Sequence, residues 1–502
     1  MKHYSLSMNE DDSHFYMTRE KSEMNEAHFR EFVQQYSKTS VDRLIFNVNA
    51  MRASFSSQVW ERVWDCPLAA ADQSGLGVDD YARHWIENGK IIEAQGLDTY
   101  AVWLDECRKV GISGWLSMRM NDIHCVNDPD HFLHSSFWRK HPEYWRLPHS
   151  EYANNWGERA LDYSHEAVRR HHMLLIDELL ERYDMQGLEL DWMRFGLHFR
   201  PGFETQDAHF LTEFMAQVRK KIWLWSKKRG HVIELSARVP VWPDNAWGLG
   251  MDGVQWAREG LVDELVITPF FLTTDFDLPI DYWRSLIGEA AGSVRFSGGV
   301  ECRIMSQIER NKPFRFITAV DARGLAASIL HQQGDVYLFN HMDRQHNLNI
   351  THANLWEIYR ELGNPRDVAC KPRRHAVTYV DLVPEGTLRH SILPFTINDG
   401  GMASFRLHLG TVPKTGKAYA HIGLAQGAGV PDAVLRARLN TNWLPEGHDL
   451  KPVDETFYLG SKRVTAFEIP LNYLHDGYNI ADFGLTIGAP QQAVWVDITL
   501  EP

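Results

Sequence analysis

Within the stretch Met185–Phe195, Glu189 and Asp191 stand two residues apart, with Leu188 and Leu190 interleaved. In a strand, alternate side chains share a face, so the carboxylates point one way and the leucines the other. Burying two carboxylates is costly unless each is partnered, so their presence asks for a chemical reason. Cleavage of a glycosidic bond supplies one. It needs one carboxyl group to protonate the leaving oxygen and a second to attack or to activate water. Glu301 closes a later apolar run, Val294–Val300. If the two runs lie across a closed barrel, Asp191 and Glu301 flank a bound ring as the catalytic pair, their roles left open. Carboxyls about 5 Å apart would imply retention of configuration, and about 6.5–9.5 Å inversion.

Arginine offers a planar fork to carboxylates and sulfates, and Arg119, Arg194 and Arg238 all fall at expected strand ends. Their convergence would suit an acidic sugar, a uronate or a sulfated residue. Equally, they could neutralise Glu189, Asp191 and Glu234, for example as Glu189–Arg119 or Glu234–Arg238 pairs. The expected substrate-binding set is Asn49, Arg119, Asn121, Asp122, His124, Glu189, Trp192, Arg194, Arg238 and Asn340, with Trp138 and Trp145 from a long aromatic connection. Other polar residues at strand ends are Asn9 to Asp12, His14, Asn47, Arg52, Ser236, Thr268, Arg303, His341 and Asp343. No HExxH or HxH spacing, GxSxG elbow or Walker loop occurs, so no metal or cofactor is expected. A metal at Asn9–Asp12 with Asp122 or His124 is the alternative. His171–His172 reads as a surface pair on a helix.

The elements that must position these groups alternate. Strand-like runs are Tyr4–Ser7, Arg43–Asn49, Gly114–Met120, Gly187–Trp192, Val232–Val239, Leu265–Phe270, Val294–Val300 and Val336–Asn340. Helical patterns fill the gaps at Asn25–Tyr36, Asp98–Val110, Glu166–Tyr183, Asp207–Lys228 and Ala322–Gln332. Such repetition predicts a (β/α)8 TIM barrel. A doubly wound open sheet would want a Gly-rich phosphate turn after an early strand, and there is none. Residues 51–90 read as an insertion. The long connection 123–159, dense in His, Trp and Tyr, follows the third strand and belongs on the catalytic face. Near Gly363–Arg366 the texture changes. Alternating runs at Ala376–Leu382, Ser404–Leu409, Ala418–Leu424, Val434–Asn440, Ala466–Ile469, Asn479–Ile487 and Ala493–Leu500 predict an all-β sandwich. The expected division is a barrel over 1–365 and a sandwich over 370–502.

Over 502 residues the net charge is −14, which argues against nucleic acid or an anionic membrane as the partner. No apolar run approaches a bilayer span, and Met1–Ser7 lacks an apolar signal core. A cytoplasmic or periplasmic protein is expected. Five scattered cysteines without a CxxC pair read as reduced and mostly buried. The 18 tryptophans are a high count; many are expected in the core, and the rest have rings that suit stacking on sugars.

The runs His141–Trp145, Ala160–Arg169 and Tyr183–Arg194 together resemble glycoside hydrolase barrels of bacterial polysaccharide-degrading systems, over about residues 1–345. The resemblance implies a carbohydrate-active barrel with an acidic residue at Asp191. Carboxylates on strands four and seven are also similar to the large retaining-glycosidase clan. That clan has Asn-Glu where this chain has Leu190-Asp191, and Gln186 replaces a usual Asp. Ile469–Asn479 is similar to the strand lead-in of jelly-roll domains attached to such enzymes. A lyase acting on uronic-acid oligosaccharides and a non-catalytic sugar-binding protein are the competing functions.

Overall fold

The computed structural model describes residues 4–11, 13–66, 79–147, 156–308, 312–343, 351–387, 392–426 and 433–502. Asp12 and parts of the 51–90 and 123–159 segments lie outside them. Eight parallel strands close into a barrel. They are β1 (Leu6–Glu10), β2 (Arg43–Asn47), β3 (Ser113–Arg119), β4 (Gly187–Asp191), β5 (Glu234–Pro240), β6 (Glu264–Thr268), β7 (Arg295–Val300) and β8 (Asp335–Leu338). Neighbours follow chain order, and β8 pairs with β1 to complete the circle. The expected runs all become strands. The largest shift is in β1, expected over Tyr4–Ser7, so that Asn9 and Glu10 are strand residues. Its inward positions are polar, Ser7 and Asn9, and a search for apolar runs stops short of them.

Outward-facing Leu44, Phe46, Leu116, Met118, Leu188, Leu190, Leu235 and Leu265 join one large core beneath the helices. Those helices span Glu26–Gln34, Thr99–Val110, Glu166–Arg182, Glu204–Arg229 and Ala319–His331. The Asp98 carboxylate caps the second at the Ala101 N–H (3.1 Å), and Gly111 ends it in the left-handed conformation. The presumed insertion contains a further helix, Asp79–Ala94. His172, expected on the surface, is buried, and His171 is stacked between Phe137 (3.9 Å) and Trp60 (4.4 Å). Both rings serve to pack the helix against the long loop.

The barrel's interior is filled, not hollow. At its N-terminal end Arg43 and Arg295 both bond Glu264 (2.6 and 3.2 Å), and Arg295 holds Glu234 bidentately at 2.7 Å. Above them Ile45, Trp115, Val266, Tyr337 and Phe339 form an apolar plug of their own. The Trp115 indole needs a glycine opposite, because a Cβ on Gly187 would meet its ring at 2.3 Å.

Two antiparallel sheets follow, as expected of a sandwich. One orders Arg373–Ala376, Gln491–Glu501, Lys417–Leu424, Arg463–Glu468 and His448–Asp449; the other Met402–His408, Tyr478–Ile487, Val434–Leu439 and Asn442–Trp443. Their facing side chains, including Phe405, Ile422, Phe467 and Phe483, make a second core. The strand expected over Ala376–Leu382 ends at Ala376. Past Val377, whose N–H still reaches the Val496 carbonyl (2.9 Å), the chain leaves the ladder, and Asp381 accepts the N–H groups of Phe270, Phe271 and Leu272 (2.8, 2.9 and 3.2 Å) in the loop after β6. These bonds to the barrel take the place of a ladder. No helix among the described residues is long and apolar enough to cross a membrane.

Gly187→Ala should lower stability to denaturant by about 1–3 kcal/mol, because the rigid indole cannot yield. Gly292→Ala, where a Cβ meets nothing within 4 Å, should change it by less than ~0.5 kcal/mol.

Candidate active site

The C-terminal ends of the strands carry a chain of buried charges. Arg238 on β5 donates to Asp191 on β4 (2.6 Å) and to the Thr268 hydroxyl on β6 (3.1 Å), with the Phe339 ring 3.9 Å beneath its guanidinium. The other Asp191 oxygen accepts the backbone N–H groups of Met193 (3.0 Å) and Arg194 (2.9 Å), fixing the turn after β4. Burial pulls the Arg238 pKa down, but Asp191, then Tyr337, Glu189 and Glu301, hold it above its ordinary value. Both members of the expected pair therefore act on one guanidinium.

Neither expected salt bridge forms. Glu189 accepts from Ser117 (2.7 Å), Tyr337 (3.0 Å) and Asn9 (3.2 Å), while Arg119 bonds Asp11 (2.5 Å) and Asp122 (3.1 Å). Glu234 takes Arg295 and leaves Arg238 to Asp191. Burial, and then the Asp191 charge, push Glu189 up to about 7. Its second oxygen has no partner among the protein atoms.

Glu301 lies just past β7, 1% exposed, and its Oε1 makes no hydrogen bond to the protein. His341 Nδ1 lies 3.5 Å from its Oε2. Glu301, Cys302 and His341 are the described residues whose ligand atoms converge, within 4.8 Å, as a metal ion would require. Burial pushes the Cys302 thiol up, against the thiolate that a soft metal needs. No such convergence occurs at Asn9–Asp11 among the described residues, where a metal was the alternative expectation.

An open hollow of about 1020 Å³ covers this face. Asp11, His14, Arg119, His124, Arg194 and His341 form its polar wall nearest the strands. Asp191 and Glu301 do not line it; Asp191 holds the Arg194 backbone N–H, and Glu301 lies beside His341. His124 pairs with Asp122 (2.8 Å) through Nδ1 and accepts Arg194 (2.9 Å) at Nε2. Burial would raise Asp122, yet His124, Arg119 and Arg194 hold it well below the usual carboxylate range. His14 makes a short bond to Asp343, and burial lowers its pKa to about 4, leaving a neutral imidazole on the wall.

Arg194 differs from the other two arginines. It is 5% exposed and has no carboxylate within 4.0 Å among the described residues. Among the described residues its guanidinium bonds His124 alone, and its Nε has no partner. Burial, and then Arg119, lower its pKa.

The remaining expected residues are placed elsewhere. Asn49 pins Arg119 through both backbone groups, and Asn121 pins Leu161 and Leu197. Asn340 supports Asp11 (2.8 Å). Trp192 points outward into the core among Tyr163, His198 and Phe214. Trp138 stacks on Trp145 at 4.7 Å, and Trp138 bonds Arg159, inside the loop's own packing. The sequence reading left out the His14–Asp343 pair and Asp381. The first was visible as polar residues after β1 and β8, whereas nothing local marks Asp381. Burial pushes Asp381 up to about 6, with Glu301 adding to it.

No family model and no curated protein matches the sequence. Structures similar to the chain include chitinase ChiW from Paenibacillus sp. str. FPU-7 (9% identity, TM-score 0.41, covering 99% of this chain and 56% of that one). Chitinase ChiA74 from Bacillus thuringiensis is similar at 9% identity and TM-score 0.40, over 98% and 100% of the two chains. Alpha-L-fucosidase isoenzyme 1 from Paenibacillus thiaminolyticus follows at 11% identity and TM-score 0.32, over 97% of each. All three are glycoside hydrolases. TM-scores this low carry no argument about activity, which must come from the site's own chemistry.

Glu189 supplies a check on this electrostatics. Unfolded it titrates near 4.5, and in the fold near 7. Between those values the folded state holds the extra proton, so wild type should lose stability as pH rises through that window. Glu189→Gln removes the titration. The stability of wild type relative to this variant should fall from pH 4.5 to 7 and level off above it, as read by urea melts. A difference independent of pH would show that Glu189 is not so perturbed.

Proposed function

We propose that the protein hydrolyses glycosidic bonds in oligosaccharides bearing an acid group, bound in the hollow at the barrel mouth. Arg194 is the observation that carries this reading: a buried guanidinium on the hollow's wall, without a carboxylate of its own, suits the carboxylate or sulfate of a sugar. Glu301, with one oxygen unbonded, is the candidate proton donor. Asp191, aimed by Arg238 and two backbone N–H groups, is the candidate nucleophile or base. The sugar reaches them by displacing His341, while Arg194 stays in place to hold its acid group. Glu20, Glu23 and Glu31 line the outer hollow. They would repel a dense polyanion and favour a substrate whose charge sits on the residue entering the barrel.

Elimination across a uronate is the second reading, favoured by the neutral His14 imidazole held by Asp343. There Arg194 neutralises the carboxylate and His14 takes the adjacent ring proton; the ring double bond forms as the C–O bond to the leaving sugar breaks, the imidazolium returns its proton to the leaving oxygen, and no water is consumed. The products distinguish the two, because elimination leaves an unsaturated uronate that absorbs in the ultraviolet and hydrolysis does not.

The test is a screen of neutral, uronic and sulfated oligosaccharides with wild type, Arg194→Met, Asp191→Asn and Glu301→Gln, each first checked by thermal melt. Arg194→Met should cost on the order of 2–5 kcal/mol on acidic substrates, a fall in kcat/KM of roughly 30-fold or more, and spare any neutral one. Asp191→Asn and Glu301→Gln should each reduce kcat by at least about a hundredfold. Turnover unchanged in both carboxylate variants would remove them from the mechanism, and ultraviolet-absorbing products would transfer the reading to elimination.

A further inference from the structure

A second hollow, about 370 Å³, lies where the barrel meets the sandwich, away from the strand-end charges. The barrel contributes Trp242, Asp244 and Asn245 after β5 and Asp275 to Asp277 after β6. The sandwich side contributes His375 to Thr378, Val380 and Arg406 to His408. A cavity at such a junction that served packing alone would be apolar and dry. This one is not.

Four of its polar side chains have atoms that no group among the described residues satisfies. Asp275 is 4% exposed with Oδ2 unpartnered, and Asn245 is 8% exposed with Nδ2 unpartnered. The indole N–H of Trp242 is likewise without an acceptor. His375, 1% exposed, makes no hydrogen bond of normal geometry at either ring nitrogen, although the His408 backbone lies near. The other half of Asp275 is anchored. The other Asp275 oxygen accepts the Asp277 N–H (2.9 Å), and Asp277 in turn holds Arg406 (2.6 Å) and the Tyr478 hydroxyl (2.6 Å). Leaving a buried polar group unsatisfied costs roughly 1–3 kcal/mol, so several pointing into one space mark a place for a polar ligand.

The charges set its class. Asp244, Asp275 and Asp277 face a single guanidinium, Arg406, which disfavours an anion. These carboxylates do not converge with metal-ligand spacing; the described group that does is Glu301, Cys302 and His341. Burial, and then Asp277, hold Asp275 well above the ordinary carboxylate range, so it offers a donor as well as acceptors. Alternating donors and acceptors beside an indole match the hydroxyls and apolar face of a sugar ring.

We propose that this hollow is a second carbohydrate site, which takes a neutral mono- or disaccharide unit against Trp242, Asn245, Asp275 and His375. It holds sugar without cleaving it, since the Asp277 carboxylate beside Asp275 is already taken by Arg406 and Tyr478 and is not free to complete a catalytic pair. The proposal does not rest on the hydrolase reading, and failure of the barrel-mouth variants leaves it untouched.

Isothermal titration of the full chain with glucose, galactose, N-acetylglucosamine, cellobiose and lactose, beside galacturonate, tests it. Wild type and Arg194→Met should bind at least one of the neutral sugars equally well. Asp275→Leu should weaken that binding at least about tenfold. Val380→Trp, which fills the hollow without altering a charge, should do the same while keeping a cooperative melt, and decides the matter if Asp275→Leu does not fold. Binding kept by both hollow variants, or lost in Arg194→Met, would place the sugar at the barrel mouth and overturn the proposal. So would binding of galacturonate alone, or no heat from any neutral sugar, in which case water fills the cavity.

Discussion

The Asp191–Arg238 pair is the contact on which the barrel's upper half depends. Neither group tolerates that depth alone, because breaking a buried ion pair from one side leaves an uncompensated charge. Together they do more than cancel. Arg238 reaches Thr268 on the next strand and lies over Phe339, so it ties β4, β5, β6 and the end of β8 around one guanidinium. The second Asp191 oxygen fixes the turn that carries Arg194. The position of the wall cation is thus a consequence of the same carboxylate that the chemistry would use.

That arrangement also accounts for Glu189. With Arg238 committed to Asp191, the deeper carboxylate is served by hydroxyls and an amide, from Ser117, Tyr337 and Asn9, which satisfy one of its oxygens without offering a positive charge. Its raised pKa follows from burial beside Asp191. The interior therefore stacks an ion network at the base, an apolar plug, a carboxyl near neutrality, and then the charged pair. Each layer screens the one above from the Arg43–Glu264–Arg295 network below.

The barrel was legible because outward-facing leucines and valines recur with a period of two between helical stretches, and the core under the helices demands it. Partner identity was not. Sequence proximity within a strand suggested Glu234–Arg238, but those two face inward at different heights, and the barrel's register sets Arg238 beside Asp191 and Glu234 near Arg295. Glu189 and Arg119 sit on neighbouring strands in the same way, yet Arg119 is drawn upward to Asp11 and Asp122. The aromatics misled for a related reason. Composition alone cannot separate an indole that stacks on a sugar from Trp138 and Trp192, which fill the spaces behind a loop and a strand. Asp381 is out of reach of local reading altogether. It lies more than a hundred residues from the β6 loop it caps, and the texture around it resembles a strand.

Arg194 carries the most unresolved electrostatics of the site. A guanidinium taken out of water loses several kcal/mol of hydration, and the compensation in view is modest: one bond to a neutral imidazole, and the faces of Phe195 and Phe339 at 5.6 and 5.9 Å. Asp122 and Asp11 stabilise it through space, but both already serve Arg119. A side chain held at such cost by the backbone turn that Asp191 fixes is better placed than a flexible surface cation to bind an anion, since its ordering is complete before the ligand arrives. The two hollows then divide the work by sign. The barrel mouth keeps an unmatched cation for a charged sugar, whereas the junction between barrel and sandwich keeps an excess of carboxyls and admits a neutral one.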